Sequence, residues 1–332
     1  MQYSRANARD WVRNNLKGYL VTTTTALRPD HELDVQGIKD NVEKFLALPG
    51  VRGLYIGSLY QEFWTLTLDE RKKIADIMIE QCAGRAHVLV NVTENCAKNA
   101  IELARHAERA GADLVMCWPP FYGPRNNEGV LSFYKQLAEA TDIGIATYTT
   151  TLHELGFYVD IELMDKLADI DTIVAAKEAS LSMARYSAMM EAVGDRLPIS
   201  APLEEYYLFG KLTYPSRAPD FILGSSRPVY MQSQEKPHCA DFFDAVQRKD
   251  FDQAQQSMRS ILRVANELHS RFLARGQHHA TLLKYISSLL GFAAGPVRPP
   301  LTLPSQEEKE LAIRVLSENG LLPATWDRVA AE

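Results

Sequence analysis

Short apolar runs alternate along this chain with longer segments whose apolar residues recur at helical spacing. A short apolar run between turn residues reads as a strand buried on both faces. The longer segments read as amphipathic helices that cover the sheet. The runs fall at 18–25, 53–57, 87–92, 113–117, 143–148, 172–177, 197–200 and 220–226. Helical spacing occupies 34–48, 67–81, 97–110, 128–140, 160–168, 181–193 and 203–212. In the first of these Ile38, Val42, Phe45 and Leu46 share one side, Thr67-x-x-Glu70 resembles a capping box, and Gly111 ends the third. Eight strand–helix repeats in about 230 residues match an α/β fold of the (β/α)8 barrel type, a TIM barrel. A doubly wound open sheet would want a glycine-rich phosphate turn, and the chain has neither a GxGxxG nor a P-loop pattern.

Residues 1–17 read as a leading helix or arm. From Cys239 onward the pattern is all helical, at 241–248, 251–272, 280–291 and 305–319, with a breaker at 295–300. The expected organisation is therefore an N-terminal arm (1–17), a barrel (18–238) and a C-terminal helical extension (239–332).

Composition narrows the function classes. The 332 residues carry 36 Lys and Arg against 42 Asp and Glu, a net charge of -6, with no basic run. That argues against a nucleic-acid partner. No apolar stretch approaches the roughly 20 residues a membrane span needs, and the polar first residues lack the apolar core of a signal peptide. Cys82, Cys96, Cys117 and Cys239 have no metal-like spacing and are expected to be reduced. A cytoplasmic location is the expectation.

The candidate chemistry sits where one apolar run stops at a charge. In Thr172-Ile173-Val174-Ala175-Ala176-Lys177-Glu178-Ala179-Ser180, strand alternation puts Ile173, Ala175 and Lys177 on one face. Lys177 then lies at the C-terminal end of its strand, where barrel enzymes keep their reactive groups. Burial there favours the neutral amine, which can attack a ketone to form a Schiff base. A lysine paired with a carboxylate is the other reading of the same stretch. Counted from the strand ends, Tyr148 lies level with Lys177 on the neighbouring strand and is placed to move protons; a core tyrosine with a satisfied hydroxyl is its alternative. Other strand ends supply Thr22 to Thr25, Gly57-Ser58-Leu59-Tyr60-Gln61-Glu62, Phe121 and Tyr122, Thr149 and His153, and Gly224-Ser225-Ser226-Arg227.

These residues resemble the dihydrodipicolinate synthase / N-acetylneuraminate lyase superfamily of lysine-dependent class I aldolases, over about residues 18 to 295 and the helical tail. Ala176-Lys177-Glu178-Ala179-Ser180 is similar to the family's Schiff-base motif, and Tyr148 to its proton-relay tyrosine. Gly57-Ser58-Leu59 falls where the family's glycine–hydroxyl–hydroxyl loop holds the pyruvate carboxylate. The extra residue before Glu62 is similar to the hydratase-aldolase branch, which cleaves aromatic benzylidenepyruvates. Pro120-Phe121-Tyr122 resembles the segment that places a second tyrosine at the neighbouring site. The resemblance implies a homotetramer without metal or organic cofactor, acting on a 2-oxo acid and an aldehyde.

Departures from the family pattern bear on specificity. Leu59 replaces the second loop hydroxyl, a loss of about 1–3 kcal/mol if a carboxylate acceptor is left unpaired. The asparagine, proline and arginine usual after the relay tyrosine are replaced, with His153 near the arginine's place. Ser225 and Arg227 follow strand eight; Arg227 could supply the missing carboxylate contact or be an exposed loop residue. Trp64, Trp118, Phe121 and Tyr122 line an apolar mouth or pack between loops and helices. Three functions follow: an aldolase with an apolar or aromatic aldehyde, a Schiff-base dehydratase, deaminase or decarboxylase of a 2-oxo acid, or a ligand-binding barrel without catalysis.

Overall fold

A computed structural model of the protein describes residues 2–151, 157–270, 280–323 and 326. The chain divides into two compact units. One comprises Met1–Leu20, Arg52–Ile56 and Gly84–Ser225; the other comprises Val21–Val51, Gly57–Ala83 and Ser226–Glu332.

The chain forms an eight-stranded sheet, most of whose residues belong to the first unit. Its strands are β1 (Gly18–Thr22), β2 (Val51–Ile56), β3 (His87–Asn91), β4 (Leu114–Cys117), β5 (Gly144–Thr149), β6 (Ile173–Glu178), β7 (Ile199–Ser200) and β8 (Phe221–Ser225), in the order β7-β6-β5-β4-β3-β2-β1-β8. Pairing from β2 through β7 is parallel, and helices alternate with the strands. The residues of β4 to β8 are buried throughout, which is why these strands read as continuous apolar runs rather than alternating ones. The expected (β/α)8 barrel is the fold.

The strand β7 is only two residues long, so a side chain completes the seam to β8. The Ser200 hydroxyl donates to the Phe221 carbonyl (3.1 Å) and accepts from the Leu223 amide (3.0 Å). At the opposite end of the strands the N-terminal arm caps the barrel. It holds the helix Ala8–Asn15, whose Arg9 donates to the carbonyls of Ile173 (2.8 Å), Ala168 (2.5 Å) and Ile170 (2.7 Å). Two of these lie at the end of the helix Ile161–Ala168 and just past it, where helical carbonyls lack partners of their own. Tyr3 joins the same end, donating to the Asp113 carbonyl and accepting from the Gly144 amide.

The second unit is helical, with Val35–Ala47, Leu68–Cys82, Arg227–Tyr230, His238–Gln247, Phe251–Ala265, Ala280–Leu289 and Gln306–Glu318. Its helix starts follow the caps legible in the sequence. Asp34 accepts from the Gly37 amide, and Thr67 with Glu70 forms a reciprocal capping box. The structure departs from expectation in three places. Thr23 to Thr25 leave the β1 ladder, and the hydroxyls of Thr24 and Thr25 bond instead to Ser287 (3.2 Å) and the Gln61 carbonyl (2.8 Å). The segment after β2 is not open loop but two short 3-10 turns, Leu59–Gln61 and Phe63–Thr65. Finally, the helix read over 251–272 changes at Asn266 into a π-helix that runs to Ser270.

Candidate active site

The register of β5 against β6 builds the site. Ile145 pairs with Ile173, which alone would set Tyr148 opposite Ala176. Between Ile145 and Ala146 the register shifts by one residue, so Ala146 meets Ala175 and Tyr148 meets Lys177. Such a bulge re-aims the side chains beyond it. The phenol and the amine therefore stand side by side at the C-terminal ends of their strands, with the small pair Ala146 and Ala175 one alternation below.

Lys177 is 6% exposed. Its Nζ donates to the Gly224 carbonyl at 3.1 Å and lies over the rings of Tyr148 (5.3 Å to the centroid) and Tyr55 (5.7 Å). Burial lowers its pKa from 10.5 to about 7, because these neighbours compensate the ammonium only weakly for lost water. The ion-paired reading of Lys177 is thus not what the fold builds: the nitrogen faces aromatic rings and a carbonyl. Gly224 has a positive φ of 71°, and a side chain on it would collide with the lysine.

Two aromatic residues that the strand ends did not single out as site residues complete this wall. Tyr55 lies on β2, two residues before the Gly57 at which the strand-end reading began. Trp118, 2% exposed, follows β4; it stacks on Tyr148 (centroids 4.3 Å apart, planes at 16°) and donates its indole N–H to the Tyr55 hydroxyl (3.1 Å). The interior position of Trp118 removes it from the apolar mouth. Tyr122, in contrast, is 83% exposed, on a turn whose Phe121 and Tyr122 amides both donate to Asn95 Oδ1.

Thr149, expected as a substrate contact, bonds within the chain. Its hydroxyl accepts from the Val159 amide (3.0 Å) and donates to the Val159 carbonyl (3.3 Å), so it ties the end of β5 to the following segment. Ser225 is buried at the end of β8. His153 lies outside the described residues.

The other sequence candidates belong to the second unit. Gly57, Ser58 and Leu59 lead into the turn Leu59–Gln61. Gln61 holds that turn: its side-chain carbonyl accepts from the Gly57 amide and its backbone carbonyl from Thr25. The Ser58 hydroxyl is buried without a hydrogen-bond partner, whereas Leu59 is half-buried. Glu62, at the end of the turn with a φ of 57°, is buried and pairs with buried Lys284 of the helix Ala280–Leu289 at 3.2 Å. Burial raises the pKa of Glu62 and lowers that of Lys284, each opposed by the partner's charge. Their separation of more than 200 residues hid this pair from sequence reading. Arg227 also needs correction. It is 1% exposed at the start of the helix Arg227–Tyr230, with Nε 3.5 Å from His269 Nδ1, rather than on an exposed loop. Pro228 presets the backbone for that helical turn.

A parallel barrel whose sixth strand ends in a buried, readily neutralised amine beside a phenol has the architecture of a lysine-dependent lyase. Comparison with known proteins gives the lineage. Residues 15–319 match the model of the Dihydrodipicolinate synthetase family, and the chain belongs to that family. It is 29% identical over 303 residues to a 4-hydroxy-tetrahydrodipicolinate synthase of Methanothrix thermoacetophila, spanning 90% of this chain and 95% of the relative. It is 28% identical to an uncharacterized DapA-like lyase of Thermococcus onnurineus, over 91% and 99% of the two chains. Among solved structures, a chloride-inhibited dihydrodipicolinate synthase of Acinetobacter baumannii complexed with pyruvate superposes with a TM-score of 0.80 at 20% identity. It covers 93% of this chain and all of that one. The protein is a class I, Schiff-base-forming lyase.

Proposed function

We propose that Lys177 is the Schiff-base nucleophile and Tyr148 the proton relay of a pyruvate-dependent aldolase whose aldehyde partner is apolar or aromatic. The observation that carries this reading is the buried Lys177 amine, its pKa near 7, paired in register with Tyr148. At neutral pH a large share of such an amine is free to attack.

The chemistry follows from that pair. The Lys177 nitrogen adds to the ketone carbon of the 2-oxo acid; Tyr148 relays one proton from that nitrogen to the oxygen and gives its own as the second, so the oxygen leaves as water and the phenolate remains. The resulting iminium withdraws electrons. In the cleavage direction the C3–C4 bond of an aldol adduct breaks, its electron pair becoming an enamine while the C4 hydroxyl gives its proton to the Tyr148 oxygen and departs as the aldehyde. Tyr148 returns a proton to C3, and water releases pyruvate and regenerates the amine. The family resemblance implies that Ser58 takes the substrate carboxylate; its hydroxyl is buried with no partner and has a hydrogen bond still to make. Leu59 supports an apolar partner, since it offers hydrocarbon where the family pattern has a hydroxyl.

Borohydride reduction in the presence of pyruvate tests the nucleophile. A mass gain on the Lys177 peptide is expected, with none in Lys177→Ala; trapping that persists in the variant sinks the assignment. Screening pyruvate adducts for released aldehyde then separates aldol cleavage from dehydration or decarboxylation.

Two further properties belong to this proposal. A homotetramer is expected from the family resemblance, and highly exposed Tyr122 supports a surface waiting for a neighbouring subunit. A cytoplasmic location is supported by four free cysteines and by the absence, among the described residues, of a helix long and apolar enough to cross a membrane. Sedimentation and fractionation, respectively, check them.

A further inference from the structure

Trp118 meets both phenols that flank the lysine nitrogen. Its face stacks on Tyr148 and its N–H donates to the Tyr55 hydroxyl, and these are the two rings over which the Lys177 nitrogen lies. The indole is itself fixed from the strand beside it. Its backbone amide donates to the Thr93 hydroxyl (2.9 Å), which donates in turn to Asn91 Oδ1 (2.6 Å), and Asn91 ends β3. One rigid side chain, anchored on a third strand, thus sets the orientation of two rings that sit on β2 and β5.

We propose that Trp118 is a positioning residue for proton transfer: it holds Tyr148 by stacking and orients the Tyr55 hydroxyl by hydrogen bonding, so that both phenols face the lysine in fixed geometry. The inference rests on Lys177 as nucleophile and Tyr148 as relay. It adds Trp118 and Tyr55, which the family pattern in the sequence did not supply. The physical reason for such a brace is that a phenol free to swing about its side-chain bonds delivers a proton only in a fraction of its orientations. Stacking limits ring rotation, and a hydrogen bond accepted by Tyr55 leaves its own proton directed away from the indole.

Pyruvate alone gives a readout that needs no aldehyde. The iminium of pyruvate loses a C3 proton to become the enamine and regains one from solvent, so in D2O the methyl signal exchanges. Exchange reads proton transfer, whereas borohydride trapping reads the amine. Trp118→Phe keeps a ring to stack but removes the N–H; Tyr55→Phe removes the acceptor and leaves Trp118 in place. Each is expected to slow exchange at saturating pyruvate about tenfold, while half-saturation stays within about threefold and trapping at Lys177 proceeds. The double variant is expected to be no slower than the slower single one, because both remove one bond. Unchanged exchange in Tyr55→Phe overturns the proposal, as do multiplicative losses in the double variant, or exchange that falls only in proportion to trappable enzyme. Should wild-type protein fail to trap pyruvate, the Schiff-base assignment itself falls, which is a different outcome from all of these.

Discussion

The Gly224 carbonyl accepts a hydrogen bond from Lys177 Nζ at 3.1 Å, and a Cβ placed on Gly224 would stand 2.4 Å from the same nitrogen. The glycine therefore does two things at once. It gives the lysine its fixed acceptor, and it leaves the volume the amine occupies. Its φ of 71° is a backbone conformation that residues with side chains adopt at a cost of about 1–2 kcal/mol. Gly224→Ala is expected to lower stability by about 2 kcal/mol and to cut the borohydride trapping rate far more than that loss explains, since the lysine must leave its place. Urea unfolding and trapping rates on one preparation check both parts; trapping at the wild-type rate would show that the contact is incidental.

Burial of Lys177 makes stability and reactivity move together with pH. Its folded pKa of about 7 lies below the ordinary 10.5, so between those values the unfolded chain binds more protons than the folded one. Stability from this group therefore rises as pH rises from about 7 toward 10.5, and the penalty is complete below 7. The separation corresponds to a ceiling of about 5 kcal/mol. Lys177→Met is accordingly expected to be more stable than the wild type at pH 6 to 7, by on the order of 3 kcal/mol, with the gap closing toward pH 10. Over the same range the wild-type trapping rate with pyruvate should climb through pH 7 and then level off. Paired urea titrations at several pH values check the first statement. A stability difference independent of pH would mean that the lysine is not desolvated.

Strand and helix order was legible because each strand is buried on both faces and each helix is not. The chemistry at Lys177 was legible for the same reason, as a charge ending an apolar run. What escaped the sequence depends on register and long-range packing. Counting from the strand ends already set Tyr148 level with Lys177, but no local signal shows the register shift between Ile145 and Ala146 by which the strands reach that pairing. Trp118 was visible as an aromatic after the fourth strand, but nothing in the sequence says that its N–H finds Tyr55. Thr149 looked available because the distant Val159 backbone that consumes its hydroxyl cannot be inferred from spacing.

Tyr122 separates the roles of surface and core. With 83% of its surface exposed it contributes little to the fold of the single chain. Tyr122→Phe and Tyr122→Ala should each leave unfolding free energy within about 0.5 kcal/mol. If the turn carries a tyrosine to a neighbouring site, both variants will slow deuterium exchange of pyruvate while leaving trapping intact, and Tyr122→Ala will also weaken self-association. Exchange at the wild-type rate in both variants removes Tyr122 from the catalytic scheme.

Glu62 and Lys284 pose a different problem, because two charges buried 3.2 Å apart are a poor source of stability. Mutual attraction in the interior roughly offsets the water both groups give up, whereas removing one partner strands the other. The pair also ends the turn that Ser58 and Leu59 enter, and Glu62 there holds a left-handed backbone, so what it contributes is geometry and not energy. Lys284→Met should therefore destabilise the chain by about 3–5 kcal/mol, and Glu62→Gln by less, since the amide keeps a hydrogen-bond acceptor. The combined variant Glu62→Gln with Lys284→Met should regain much of the loss, as a neutral pair has no uncompensated charge. The double variant is then expected to unfold near the wild-type urea midpoint. A double variant as unstable as Lys284→Met would show that the loss comes from packing and not from a stranded charge.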